Sequence, residues 1–123
     1  MIDHVTLNVS DLQKSRLFYE NAFAPLGYAL AFGKEGRFWA FDIGDGLFEI
    51  QQSDAPAPLT PTHVAFRVTS REEVDAFHLA ALAAGGRDNG APGPRPDYTP
   101  NYYATFVLDP DGHNIEAMID PAG

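Results

Sequence analysis

Residues 2–9 alternate, with Val5, Leu7 and Val9 on one side and His4, Thr6 and Asn8 on the other. That is the period-two pattern of a half-buried strand. Residues 62–68 repeat it, with Val64, Phe66 and Val68 opposite His63, Ala65 and Arg67. Each strand leads into a capping box, Ser10-Asp11-Leu12-Gln13 and Ser70-Arg71-Glu72-Glu73, with Ser10 and Ser70 as the expected N-caps. Leu12, Tyr19 and Phe23 follow at helical spacing in the first case, and Val74, Phe77, Ala81 and Leu82 in the second. Gly27 and Gly86 are the expected helix stops. Strands are predicted near 28–32, 38–42 and 47–51, and then at 102–108 and 114–119. A weaker strand is expected around 86–88. Residues 89–100, rich in Gly and Pro, read as a loop, and Asp109-Pro110-Asp111-Gly112 as a turn.

The order of elements is duplicated. A shift of 59 residues (4 to 63) lays His4-Val5 on His63-Val64, Phe18 on Phe77, Ala22 on Ala81 and Gly27 on Gly86. The register slips by seven residues before Asp45-Gly46 meets Asp111-Gly112, and by one more before Glu49 meets Glu116. Two copies of one supersecondary unit are too few for a solenoid. The expected fold class is α+β. Two tandem βαβββ modules form a curved, cleft-forming mixed sheet with the helices on its outer face. Residues 1–123 make a single domain, with module one at 1–53, a proline-bearing linker at 54–61 and module two at 62–123.

Composition narrows the function. The 123 residues contain no Cys, which excludes disulfides, iron–sulfur clusters and cysteine catalysis and fits a reducing, cytoplasmic location. The N-terminal residues have neither the basic nor the apolar region of a signal peptide. No apolar run approaches the ~20 residues of a membrane span. Eight Lys and Arg against 17 Asp and Glu give a formal net charge of −9. That lacks the basic footprint of a nucleic-acid binder, so neither nucleic acid nor membrane is an expected partner.

The alternation also sorts the chemistry. With Val and Leu packed under the helices, His4 and His63 project from the opposite, concave face. On the last strand of each module, Phe48 and Ile50 oppose Glu49, and Ile115 and Ala117 oppose Glu116. Two imidazoles and two carboxylates are then expected to converge as a site for a divalent transition metal: Zn, Ni, Fe, Co or Mn. A single His or Glu on a strand is ordinarily structural; the symmetric pairing is what singles these four out. His78 is expected on a surface helix and His113 in a loop near the site. Trp39, Tyr102, Tyr103 and Phe106 offer stacking surface for a substrate, with core packing as the competing role, and Met118 on the last strand is expected in the same pocket. Arg67 shares the expected face of His63 and suits either a substrate anion or a surface acid.

These residues resemble the vicinal oxygen chelate superfamily, which includes glyoxalase I, fosfomycin resistance proteins, extradiol dioxygenases and bleomycin resistance proteins. The resemblance runs through Asp3-His4-Val5, Ser10-Asp11-Leu12 leading to Phe18-Tyr19, Leu26-Gly27, and Thr62-His63-Val64-Ala65-Phe66. Its most specific piece is Asp109-Pro110-Asp111-Gly112-His113-Asn114-Ile115-Glu116. It implies metal ligands at His4, Glu49, His63 and Glu116. It also implies a homodimer whose site is completed between modules of different chains, and a small-molecule substrate. Four filled positions look more like glyoxalase I and the epimerases than like members with two His and one Glu. The implied function is a metal-dependent lyase, isomerase or epimerase that chelates neighbouring substrate oxygens. Glu49 and Glu116 are then the candidate proton-transfer bases. Asn8 stands where glyoxalase I carries an Arg for glutathione, which argues against glutathione. The alternatives are a metal-independent binding protein of the resistance type, or a dioxygenase or thiol transferase of the same fold.

Overall fold

A computed structural model describes residues 1–55 and 58–121. The expected linker at 54–61 therefore lies partly outside the described residues. The order is β1 (His4–Val9), α1 (Leu12–Phe23), a 3-10 turn (Ala24–Leu26), β2 (Ala29–Lys34), β3 (Phe38–Asp42) and β4 (Leu47–Gln52). Then follow β5 (His63–Arg67), α2 (Arg71–Ala83), β6 (Arg87–Pro94), β7 (Tyr103–Leu108) and β8 (Asn114–Ile119). Each module is a βαβββ unit and the fold is α+β.

The strands make two four-stranded sheets, ordered β1-β4-β3-β2 and β5-β8-β7-β6, rather than one continuous sheet. In each, the first strand runs parallel to the last and the other pairs are antiparallel. The helix between first and second strands supplies the crossover that a parallel pair requires.

One apolar core joins the modules. Leu7, Val9, Phe41, Phe48 and Ile50 from the first sheet are buried with Phe66, Val107, Ile115 and Ala117 from the second. Phe66 sits 5.2 Å from Phe23 and 5.3 Å from Phe48, both edge-on, so a module-two ring fills a module-one aromatic cluster. Such pairs add about 1 kcal/mol each beyond their buried area. A Cβ on Gly86 would lie 2.7 Å from Val107 Cγ1 and 2.8 Å from Phe18 Cε1. Gly86→Ala is therefore expected to lower stability by about 2 kcal/mol through overpacking, read as a lower urea midpoint at unchanged slope.

Three details differ from the sequence reading. Asp11, not Ser10, caps α1, accepting from the Lys14 N–H at 3.1 Å. Ser10 is drawn away by Asp111, whose carboxylate accepts its backbone N–H at 3.1 Å. In α2, Ser70 caps as expected, but Glu73 reaches back to the Thr69 N–H. That helix stops at Ala83, and Gly85, not Gly86, takes the left-handed turn at φ 102°. The first half of the expected loop at 89–100, residues 89–94, belongs to strand β6. It is an edge strand paired only with β7, and its ladder slips register between Asp88 and Gly90 and again between Gly90 and Gly93. Edges and bulges are where sheets tolerate Gly and Pro.

Candidate metal centre

The two candidate ligand pairs sit at matching places. His63 begins β5 and Glu116 lies on the adjacent β8, two residues beyond the position opposite it. His4 and Glu49 stand in the same relation on β1 and β4. His63 Nδ1 lies 2.9 Å from the Asn114 carbonyl, which can only accept, so the ring donates Nδ1–H there. Nε2 is thereby turned to Glu116, 3.0 Å from Oε1. His4 is held the same way, with Nδ1 2.9 Å from the Asp3 carboxylate. That contact and the charge of Glu49 raise the His4 pKa above 6.5. Fixing one ring nitrogen with an acceptor is how metal-ligating histidines are oriented.

The halves are unequal. Glu116 is 3% exposed, against 49% for the His63 side chain. Its second oxygen accepts from the Tyr102 hydroxyl. Glu49 is half-buried and is touched by the Thr6 hydroxyl at 3.2 Å.

Among the described residues, no three His, Asp or Glu side chains gather as a metal-binding group. The four expected ligands thus meet as two pairs within one chain, not as one cluster. The physical reason is that β1 and β5 are edges of separate sheets with no hydrogen-bonded ladder between them.

The other expected site residues divide. Phe106 is the cross-strand partner of Glu116, and its ring lies 6.2 Å from the His63 ring. Met118 is buried on the Glu116 side of β8, in register with Arg67 on β5. Arg67 is exposed and donates to the Asp120 carbonyl at 3.3 Å. Trp39 and Tyr103 face the helices instead. The Arg16 guanidinium of α1 stacks 4.2 Å over Trp39, and the Tyr103 hydroxyl donates to Asp75 of α2 at 2.7 Å. Their strand neighbours Ala40 and Ala104 occupy the other face, opposite Glu49 and Met118.

The turn after β7 serves a purpose hidden in the sequence. All three of its polar side chains cross to module one. Asp109 accepts from the Tyr19 hydroxyl at 2.5 Å, and Asp111 from Ser10. His113 lies in the connection between β7 and β8, as expected, but it is buried, only 1% exposed. It donates Nε2–H to the Asn8 carbonyl at 2.8 Å and accepts the Thr62 N–H on Nδ1 at 3.0 Å. The one available signal was asymmetry: module one has Asp45-Gly46 at the matching turn but no Pro or His beside it.

A duplicated βαβββ unit with a His–Glu pair on each sheet defines a class. The chain belongs to the Glyoxalase/Bleomycin resistance protein/Dioxygenase superfamily, matching it over residues 1–117. It is 32% identical over 122 residues to a metallothiol transferase FosB from Shouchella clausii, covering 94% of this chain and 77% of that protein. Among solved structures, a glyoxalase/bleomycin resistance protein from Albidiferax ferrireducens superposes with a TM-score of 0.86 at 29% identity, covering 97% and 98% of the two chains. The fosfomycin resistance protein FosX from Listeria monocytogenes was solved with Mn(II) and a dihydroxypropylphosphonic acid. It superposes at 0.71 with 25% identity, covering 95% of this chain and 87% of that one. No described helix is long and apolar enough to cross a membrane.

Proposed function

We propose that this protein is a metal-dependent enzyme acting on a small substrate through two neighbouring oxygens. His4, His63 and Glu116 would hold the divalent metal, with Glu49 at the fourth position. The carrying observation is the His63–Glu116 pair. With Nδ1–H committed to Asn114, Nε2 and Glu116 Oε1 face each other at 3.0 Å. Both are acceptors unless a proton or a cation lies between them. Two donors about 2.1 Å from one cation, at right angles, stand about 3 Å apart, so the spacing fits cis ligands of one ion. A bound divalent ion would supply Lewis-acid polarisation of a substrate oxygen.

The chain's own residues divide the remaining work. Glu116, buried and held from two sides, is the fixed ligand. Glu49, with one hydroxyl contact and open to solvent, is the carboxylate free to take a proton beside a substrate carbonyl. Phe106 and Met118 wall the His63 side against water, and Arg67 offers a cation at its rim. Since each sheet carries one pair, the reading includes a homodimer in which module one of one copy faces module two of the other.

The likeness to metallothiol transferases favours a second reading. There the site has three ligands and a thiol is transferred to the substrate, with Glu49 outside the coordination shell. Metal titration of the wild type and Glu49→Gln separates the two. A loss of affinity of about tenfold or more in the variant supports the four-ligand isomerase or lyase reading. Unchanged affinity supports the transferase. A wild-type protein that takes up no divalent metal overturns both and leaves the metal-independent binding protein.

A further inference from the structure

Among the described residues, Tyr102 and His63 are the two side chains within hydrogen-bond distance of the Glu116 carboxylate. Tyr102 approaches from a segment braced at every step. The Arg95 N–H donates to the Tyr102 carbonyl at 2.7 Å, and the Tyr102 N–H to the Thr99 carbonyl at 3.3 Å. The Thr99 hydroxyl donates to the Asp120 carboxylate at 2.8 Å, pinning the segment beyond the end of β8. Arg95 is itself fixed, donating to the carbonyls of Ala91 and Gly93. The rings of Tyr98 and Tyr102 meet edge-on at 5.0 Å.

The two ligand pairs differ at this point. Glu49 is met by a hydroxyl from within its own face, Thr6 on the neighbouring strand. Glu116 is met from outside its sheet by a phenol on a fixed support. A carboxylate with one oxygen engaged by a strong donor presents the other more freely to a cation, and here that is the one beside His63.

Resting on the metal reading above, we propose that Tyr102 is a positioning residue that makes Glu116 a one-oxygen ligand. It holds Oε2 so that Oε1 alone is presented next to His63 Nε2. Removing the phenol frees the second oxygen to swing or to bind bidentately, which spoils the preset geometry. Oriented ligands of this kind lose about 10–100-fold in metal affinity when the orienting group is removed.

Tyr102→Phe is the test, with Tyr98→Phe as the control that keeps the ring stack. Two readouts are used. In metal-free protein carrying ¹³C-labelled glutamate, the Glu116 side-chain carboxyl resonance is expected to move in Tyr102→Phe and not in Tyr98→Phe. In protein loaded with Co(II), Tyr102→Phe is expected to bind at least about tenfold more weakly, with a changed visible absorption that reports a different coordination number. An unmoved carboxyl resonance with an unchanged Co(II) spectrum overturns the proposal while the metal reading stands. If the resonance moves but wild-type protein takes up no Co(II), the metal reading fails, and the denticity assignment with it.

Discussion

Glu116→Gln is expected to lower divalent-metal affinity at least about 100-fold while leaving the fold intact. The amide is the same size as the carboxylate and meets the same neighbours. Its oxygen can accept from the Tyr102 hydroxyl, and its N–H₂ can donate to the His63 Nε2 that faces Oε1 at 3.0 Å. The metal-free protein therefore keeps every hydrogen bond at a position only 3% exposed. What disappears is the negative charge and the lone pair aimed beside Nε2, and an amide is a poor donor to a transition metal. Isothermal titration with Mn(II) or Zn(II), alongside thermal unfolding without metal, checks both halves. Affinity within about threefold of wild type would remove Glu116 from the ligand set. A metal-free unfolding temperature lowered by more than a few degrees would mean that the buried carboxylate is structural.

The second large effect is expected at Asp109. Its carboxylate accepts from the Tyr19 hydroxyl and from the backbone N–H groups of Asp111 and His113. Burial raises its pKa above 3.8, against the pull of those hydrogen bonds. The charge is thus tolerated only because three donors surround it. Asp109→Asn leaves one oxygen where two accepted and turns an N–H₂ toward a donor. Tyr19 is fully buried, so its hydroxyl then has no water to turn to. The expected destabilisation is about 3 kcal/mol, or roughly 10 °C in a chain of this size. Combining it with Tyr19→Phe is expected to cost about 1 kcal/mol or more less than the sum of the single changes, because the pair shares one interaction. Strict additivity would show that Tyr19 and Asp109 do not depend on each other.

The elements legible from sequence are those whose local signals meet no competition. β1 and β5 alternate cleanly, Ser70 has no rival for the start of α2, and the duplicated order exposes both His–Glu pairs. Where distant residues decide, the reading shifts. Ser10 has the chemistry of a cap, but Asp111, a hundred positions away in the chain, takes it. Trp39 and Tyr103 look like site aromatics until strand register shows that their neighbours Ala40 and Ala104 hold the other face. β6 lacks any apolar rhythm because it is a bulged edge, shaped by pairing with β7 alone. The pairs are legible one module at a time. Whether they meet depends on how whole sheets are arranged, which no local pattern encodes.

The clamp at 109–113 also sets an order of events. Its contacts to Tyr19, Ser10 and Asn8 span 90, 101 and 105 residues of chain. Closing loops of that length is entropically slow, and it cannot begin before both ends exist. During synthesis the whole of module one leaves the ribosome while its clamp partners are still unmade. Phe66, which closes on Phe23 and Phe48, is made earlier, but Tyr19, Ser10 and Asn8 have no partner until residues 109–113 arrive. Module one must therefore be able to wait, partly folded and exposed, for the C-terminal turn. A chain truncated before residue 109 would be left in that state permanently, as a target for chaperones and proteases rather than a smaller working unit.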